Sequence, residues 1–328
     1  MSVYDGASTG SANGASTGSA NNVSGSANMA STGSANNVTG SANNTTGAGG
    51  GAPRPLQRWL RRARRTPALL GGAAILVFMG LLAVLGRFVS PYDPASQDLT
   101  NGLAAPSPAH WFGTDQLGRD ILSRVIAAAG TDLRIAVLAA VAPFLVGVAV
   151  GLVSGYAGGW IDWVIGRVVD TFVAFPFYVL VITVVFAAGT GERGIYVAYA
   201  LVGWITYARV VRSRTRTLCR EGWVQAAYGG GLSHPRVLFR HLLPNVLPLA
   251  VVLLMTEILL IMVAVVTLGY LGLGVQPPTP DWGTMISDGQ LFLTTRWWVP
   301  TLPGVAVVLT GVGLSLLGDG LADVWRLR

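Results

Sequence analysis

His110, Asp115 and Asp120 place an imidazole and two carboxyls in one short segment, HWFGTDQLGRD. Those residue types serve general acid–base catalysis or metal ligation. Either use needs an activated nucleophile or a complete ligand set, and the segment supplies neither. Glu257 is a second candidate, the one acid deep in a long apolar run. An intramembrane carboxyl faces a bundle interior or a water-filled cavity. A hydrogen bond to a neighbouring helix and a role along a substrate pathway both suit it. The apolar runs hold no paired Asp, no Gly-x-Ser-x-Gly with a His and no His-Glu-x-x-His, so nothing supports an intramembrane hydrolase. A Walker-type G-x-x-x-x-G-K-[ST] is also missing, which leaves any ATP to another chain. Cys219 stands alone, excluding an intramolecular disulfide framework and a Cys-based zinc site. The remaining concentration of polar residues is Gln225–Pro248, an Arg-bearing segment set between apolar runs.

The elements that position these residues are membrane spans. Of the 328 residues, 52% are apolar and 11% charged, where a soluble domain carries roughly a quarter charged. Runs of bilayer-spanning length fall at Pro67–Val89, Ile135–Tyr156, Val164–Ala188 (interrupted by Pro176), Ile195–Val211, Leu247–Leu271 and Val299–Leu317. They predict an all-α, six-span membrane protein with both termini on one side. Arginine supplies every basic residue. On the expected inner side lie Arg54–Arg65, Arg167, Arg209, Arg212, Arg214, Arg216, Arg220, Arg236, Arg240, Arg326 and Arg328. The expected outer side holds Arg87, Arg119, Arg124, Arg134, Arg193 and Arg296. That bias predicts cytoplasmic amino and carboxyl termini. The net charge of +7 is thus a topology signal, and no nucleic-acid partner is expected.

The amino-terminal segment is a different object. GSAN begins at positions 10, 18, 25, 33 and 40, and Ala15–Met29 nearly repeats as Ala30–Asn44. Such Gly, Ser, Ala, Asn and Thr runs cannot offset their ordering entropy, so residues 1–53 are expected to be a disordered tail. Residues 54–130 then read as a basic juxtamembrane segment, a first span and an outer segment. Residues 131–328 read as the main membrane domain, with a cytoplasmic loop at 212–245.

Four motifs carry a family resemblance. QAAYGGGLSHPRVLFRHLLP resembles the cytoplasmic coupling loop of ABC-importer permeases, through Ala226, Ala227, Gly231, Leu243 and Pro244. HWFGTDQLGRDILSR resembles the segment after the first span in the C-type subunit of dipeptide and oligopeptide importers. His110, Gly113, Thr114, Asp115, Gly118, Arg119, Asp120, Ser123 and Arg124 carry that match. GYAGGWIDWVIGRVVDTFVAFP resembles a third family segment. LGYLGLGVQPPTPDWGTMISDGQ, with the carboxyl-terminal LGDGLADVW, resembles a fourth. The likeness runs over about residues 54–328 and omits the repeat tail.

The resemblance implies the type I importer permease fold and no catalysis in this chain. It implies a second homologous permease, two ATPase subunits that hold the ATP and magnesium, an extracytoplasmic binding protein and surrounding lipid. Gln225, Ala226, Ala227, Gly231, Arg236, Arg240, Leu243 and Pro244 would form the ATPase-coupling loop, and Glu257 would belong to the pathway or to a structural bond. Dipeptides or oligopeptides are the implied cargo, with nickel, glutathione or another small solute as the alternative. An ion-coupled secondary transporter has only Glu257 in its favour. In the outer motif the bland reading is a salt-bridged helix capped by Thr114 or Asp115. Departures from the family pattern lie in the loop and the fifth span. Gln225 replaces a usual Glu, Tyr228 a usual Arg, and Gly229 and Gly230 a usual Ala-Leu. Two added glycines cost a helix roughly 0.5–1 kcal/mol each, predicting a short coupling helix. Val265 stands where the family commonly has Glu.

Overall fold

The computed structural model describes residues 66–325. The repeat tail, the Arg54–Arg65 cluster, Arg326 and Arg328 lie outside the described residues. Helix α1 (Pro67–Val89) starts on a proline, where the missing N–H removes no intrahelical bond. It is apolar up to Arg87 in its last turn and leaves Val77, Phe78, Leu81, Val84 and Phe88 exposed. Such a surface fits hydrocarbon rather than water.

Helix α2 (Ile121–Ala157) is 37 residues long, roughly 55 Å at 1.5 Å per residue. Its start corrects two expectations. The span expected at Ile135–Tyr156 and the expected outer capped helix are one continuous helix, which crosses the division expected at residue 130. The cap is Asp120, whose carboxylate accepts from the Ser123 N–H at 2.8 Å, and neither Thr114 nor Asp115 fills that position. Those two are engaged elsewhere. Thr114 donates to the Asn101 carbonyl at 2.5 Å, and Asp115 turns back on Arg119 at 2.6 Å.

Helices α3 (Gly159–Val173) and α4 (Phe177–Ala188) meet at a bend of 86°. Pro176 lies at this break, where its fixed φ and absent N–H prevent continuation. Helices α5 (Glu192–Val202) and α6 (Trp204–Cys219) together make one span. Beyond a turn come α7 (Gly222–Gly229) and α8 (His234–Val237). A π-helical turn at Leu238–Leu242 leads into α9 (Leu243–Tyr270). Short α10 (Trp282–Gly289) and long α11 (Trp298–Trp325) complete the described chain. Among the described residues no strand forms, and five helical stretches are long and apolar enough to cross a bilayer, or six with the bent pair counted.

The helices approach one another through small residues. Gly147, Gly151 and Gly155 recur every four positions on α2 and face α6. A Cβ at each would lie 2.5, 2.6 and 2.6 Å from the carbonyl oxygens of Trp204, Ala208 and Arg212. Nothing larger than glycine fits that seam, which is how membrane helices pack without a hydrophobic drive between them. The core also holds Trp282, fully buried at the start of α10. Its backbone N–H donates to Asp132 of α2 at 3.0 Å and its indole N–H to the Val125 carbonyl at 3.1 Å. Asp281 caps the same short helix by accepting from the Gly283 N–H at 2.7 Å. Burial raises the Asp281 carboxyl above its ordinary range, against the bonds from Thr284 and Gly283.

Candidate coupling site

Helix α7 is eight residues long, short as its glycines predict. Its end is closed by Gly231, which has φ +77°. The Gly231 N–H donates to the Tyr228 carbonyl at 2.9 Å and the Leu232 N–H to the Ala227 carbonyl at 3.2 Å. Together these bonds satisfy two orphan carbonyls in a Schellman arrangement. A side chain at Gly231 would meet no atom, so only the left-handed backbone selects glycine there. The two alanines differ: Ala226 is exposed, while Ala227 is half-buried against the apolar cluster around Val224 and Val237. The outward face of α7 is thus small and unobstructed at Ala226.

Two of the departures from the family pattern acquire a structural reason. The Gln225 side-chain amide donates to the Cys219 carbonyl at 2.7 Å, tying α7 to the end of α6. A carboxylate at this position has no proton to give that carbonyl. Tyr228 stacks beside Tyr156, the penultimate residue of α2, and His234, with ring centroids 6.3 and 5.9 Å apart. The Tyr156 hydroxyl and His234 Nδ1 are 2.5 Å apart. This aromatic group fastens the loop to α2, and an arginine would not fill its place. Arg236 and Arg240 are exposed and, among the described residues, form no ion pair. Leu243 and Pro244 open α9, with the proline in its first turn. The residues from Arg212 to Cys219 prolong α6 as helix.

The sequence reading missed an anchor beside this loop. Asp162, in the first turn of α3, is buried and pairs with both Arg212 and Arg216 of α6. It also accepts from the Ser154 hydroxyl at 3.0 Å. The arginines were legible as inner-side charge, but Asp162 lies far from them in sequence and no spacing links them.

The outer motif is a second constellation. His110 Nδ1 lies 2.9 Å from Asp120 Oδ1, and the Tyr92 ring packs over the imidazole at 4.7 Å. Asp120 Oδ2 accepts from the Ser123 hydroxyl at 2.7 Å. Asp115 accepts from the Arg119 Nε at 2.6 Å, and Arg124 approaches the same carboxylate at 3.5 Å. Gly113 and Gly118 turn the chain with φ +74° and +72°. Nearby Asp98 is held below the usual carboxylate range by bonds from the Thr100 and Asn101 side chains and the Thr100 N–H. Every acid in the motif is matched to a donor within the chain. No cluster of three metal-ligating side chains occurs among the described residues.

Glu257 lies in mid-α9, buried, on the wall of a cavity of about 500 Å³. Tyr199, Thr206, Arg209 and the residues around the α3–α4 bend share that wall. Val265 is buried in the apolar core, where a carboxyl would need its own partner.

Comparison with known proteins agrees with this geometry. A family model described as "Binding-protein-dependent transport system inner membrane component" matches residues 147–326. A second, "N-terminal TM domain of oligopeptide transport permease C", matches residues 54–106. The dipeptide transport system permease protein of Bacillus subtilis is 36% identical over 264 residues, 80% of this chain and 82% of that protein. Its counterpart from Alkalihalophilus pseudofirmus is 33% identical over 269 residues, 82% of this chain and 88% of that protein. A glutathione transport system permease protein of Escherichia coli is 36% identical over 273 residues, 82% of this chain and 89% of that protein. With a matching family model over more than half its length and relatives spanning four-fifths of it, this multi-pass membrane chain belongs to the inner-membrane permease components of binding-protein-dependent transport systems.

Proposed function

We propose that this chain is one of two homologous membrane subunits of an ATP-driven importer of di- and oligopeptides. Two partner ATPases hold the ATP and magnesium, and an extracytoplasmic binding protein delivers the cargo. The permease contributes no catalytic group and binds no cofactor. The likeness to dipeptide permeases over four-fifths of the chain supports the cargo class. The observation that carries the coupling assignment is α7, a short helix with an exposed small-residue face and a closed end.

The mechanism follows from what α7 is tied to. ATP-driven closure of the ATPases moves α7. Gln225 passes that movement to the end of α6, and the Tyr228–Tyr156–His234 group passes it to α2. Asp162 carries it on to α3 through Arg212 and Arg216. The α3–α4 bend and the Glu257 cavity lie next along this path. Tilting of these spans opens the pathway outward, and the docked receptor releases its cargo.

The Arg-rich end containing α7 is assigned to the cytoplasm, with both termini on that side. Labelling of intact cells with an impermeant thiol reagent should mark Ser107→Cys and spare Arg328→Cys, in a Cys219→Ser background. The reverse pattern overturns the orientation. The functional test is the reconstituted complex with its receptor. Uptake of a labelled dipeptide, with ATPase activity stimulated by loaded receptor, is expected. Uptake of nickel without peptide uptake would reassign the cargo, and uptake of glutathione alone would narrow it.

A further inference from the structure

The cavity beside the α3–α4 bend holds an acid and a base that serve no ion pair. Glu257 and Arg209 both line it, and among the described residues neither forms a salt bridge. Glu257 is 8% exposed in the middle of a spanning helix. Thr206 of α6 is its side-chain hydrogen-bond partner, but an acid in that position without a counter-charge is costly to ionise, and its presence there points to a ligand pathway. Arg209 is exposed on α6, on the Arg-rich side of the same cavity. Tyr199 also lines it, 1% exposed, with a hydroxyl that has no hydrogen-bond partner. The remaining wall is largely aromatic and aliphatic, from Phe175 and Tyr178 at the bend to Leu260 on α9. The volume of about 500 Å³ falls within the roughly 300–1,000 Å³ of small-molecule sites.

We infer that this cavity is a recognition site for the two charged ends of a short zwitterionic peptide. Glu257 takes the terminal ammonium and Arg209 the terminal carboxylate. The inference rests on the proposed peptide cargo and deepens it, because it gives the permease its own selectivity beyond that of the receptor. The physical reason is desolvation. A zwitterion entering an apolar cavity loses water from two charges, and both losses must be offset by fixed counter-charges. The unpaired Tyr199 hydroxyl suits the peptide's amide, a group common to all peptides. The aromatic wall takes side chains without selecting among them, as an importer of varied peptides requires. Of the charged groups only the ends are common to all such cargo, and only the ends meet charge. A peptide blocked at one end leaves one of the two protein charges unmatched.

The test is equilibrium binding to the assembled permease–ATPase complex without receptor and without nucleotide. Three labelled probes are compared: L-alanyl-L-alanine, its N-acetyl form and its C-terminal amide. The parent complex should bind the free dipeptide about tenfold more tightly than either blocked form, a single charge-assisted contact being worth about that factor. Glu257→Gln should abolish discrimination against the N-acetyl form while keeping that against the amide. Arg209→Gln should do the reverse. Equal affinity for the three probes in the parent overturns the inference, as does the absence of binding or an equal loss for all probes in both variants. Receptor-dependent uptake by the same parent complex checks the cargo separately. Uptake of dipeptide with no preference in binding sinks the site alone, while failure of uptake sinks the cargo.

Discussion

The outer cap and the inner loop are built on opposite plans, although both are polar and both stand between apolar helices. In the outer cap the charges are turned inward. Asp115, Arg119, Asp120 and Arg124 are all buried, and each acid accepts from neighbours within the chain. In the inner loop Arg236 and Arg240 are exposed and, among the described residues, form no ion pair, and the helix between them and α6 leaves Ala226 bare. A surface that satisfies itself is a scaffold. A surface that fastens only its flanks, as Gln225 and Tyr228 do, is prepared for another chain. The outer motif therefore holds a loop in shape around the start of α2, and the loop on the other face is the one proposed to transmit. Substitutions on the two faces should fail in different ways: loss of the protein outside, loss of coupling inside.

The largest effect is expected at Gly118. A Cβ there would lie 1.7 Å from the Asp98 carbonyl oxygen, on a backbone with φ +72°. No side-chain adjustment relieves a clash with backbone. Gly118→Ala should lower the amount of assembled complex in membranes by more than about tenfold, since the clash and the left-handed φ add. Quantitative immunoblotting of the membrane fraction reads this. Normal abundance would mean that the outer cap is not the rigid scaffold its bonding describes. Asp115→Ala comes next. It leaves Arg119 and Arg124 buried beside an empty place, and removing one partner of a buried pair costs about 3–5 kcal/mol. A drop in thermal stability of the purified complex is expected, with receptor-stimulated ATPase per intact complex unchanged. Loss of stimulation in complexes that remain intact would move the outer motif from scaffold to signalling.

How far each face could be read from the residues follows from the range of its bonds. The spans were legible because apolar length is a local property, and the Arg-bearing loop because its motif is contiguous. The first turns of α2 were not read as part of the span. Arg124, Asp132 and Arg134 interrupt the apolar pattern there, and each is met by a partner outside the run, Arg134 by Glu192 at the start of α5 at 2.9 Å. Arg124 finds Asp115, and Asp132 finds the Trp282 backbone on a distant segment. Asp162 escaped for the same reason. Pro176 marked the break between α3 and α4, but its angle of 86° depends on what packs around it. Glu257 stood out alone, yet its cavity is assembled from several helices, which no spacing within one run can express.

On the inner face the expected loss is functional. Gly231→Val forces a β-branched residue into φ +77°, at a cost of roughly 1–2 kcal/mol for the left-handed backbone. The Schellman end of α7 should open. Membrane abundance should stay within about twofold, because a penalty of this size falls on an exposed element whose opening leaves the core packed. Receptor-stimulated ATPase and uptake should fall together. Ala226→Glu should do the same without touching the fold, since Ala226 is exposed in this chain and would be covered only by the ATPase. Full stimulation in both variants would make the loop a solvated basic turn and erase the contrast with the outer cap.

The smallest effect, and the sharpest test of the contrast, lies at Gln225. Two roles are available to it. As a contact for the ATPase, Gln225 is a weakened form of the carboxylate common at this position, and Gln225→Glu should restore an ion pair and raise stimulation. As a tether, Gln225 needs its N–H₂ to reach the Cys219 carbonyl, which it does at 2.7 Å. A carboxylate cannot donate, and it would place negative charge against the carbonyl end of α6, where the helix dipole is already negative. The bond is exposed, so its loss is worth only about 0.5–1.5 kcal/mol. On the tether role, Gln225→Ala and Gln225→Glu should both lower receptor-stimulated ATPase by about twofold to tenfold, the range that this energy spans. The charge repulsion should make the Glu variant the worse of the two. On the contact role, the Ala variant falls and the Glu variant rises. The order of the two variants relative to the parent therefore decides whether Gln225 belongs to the fastened flank of the loop or to its docking face, and the geometry of the Cys219 bond places it on the flank.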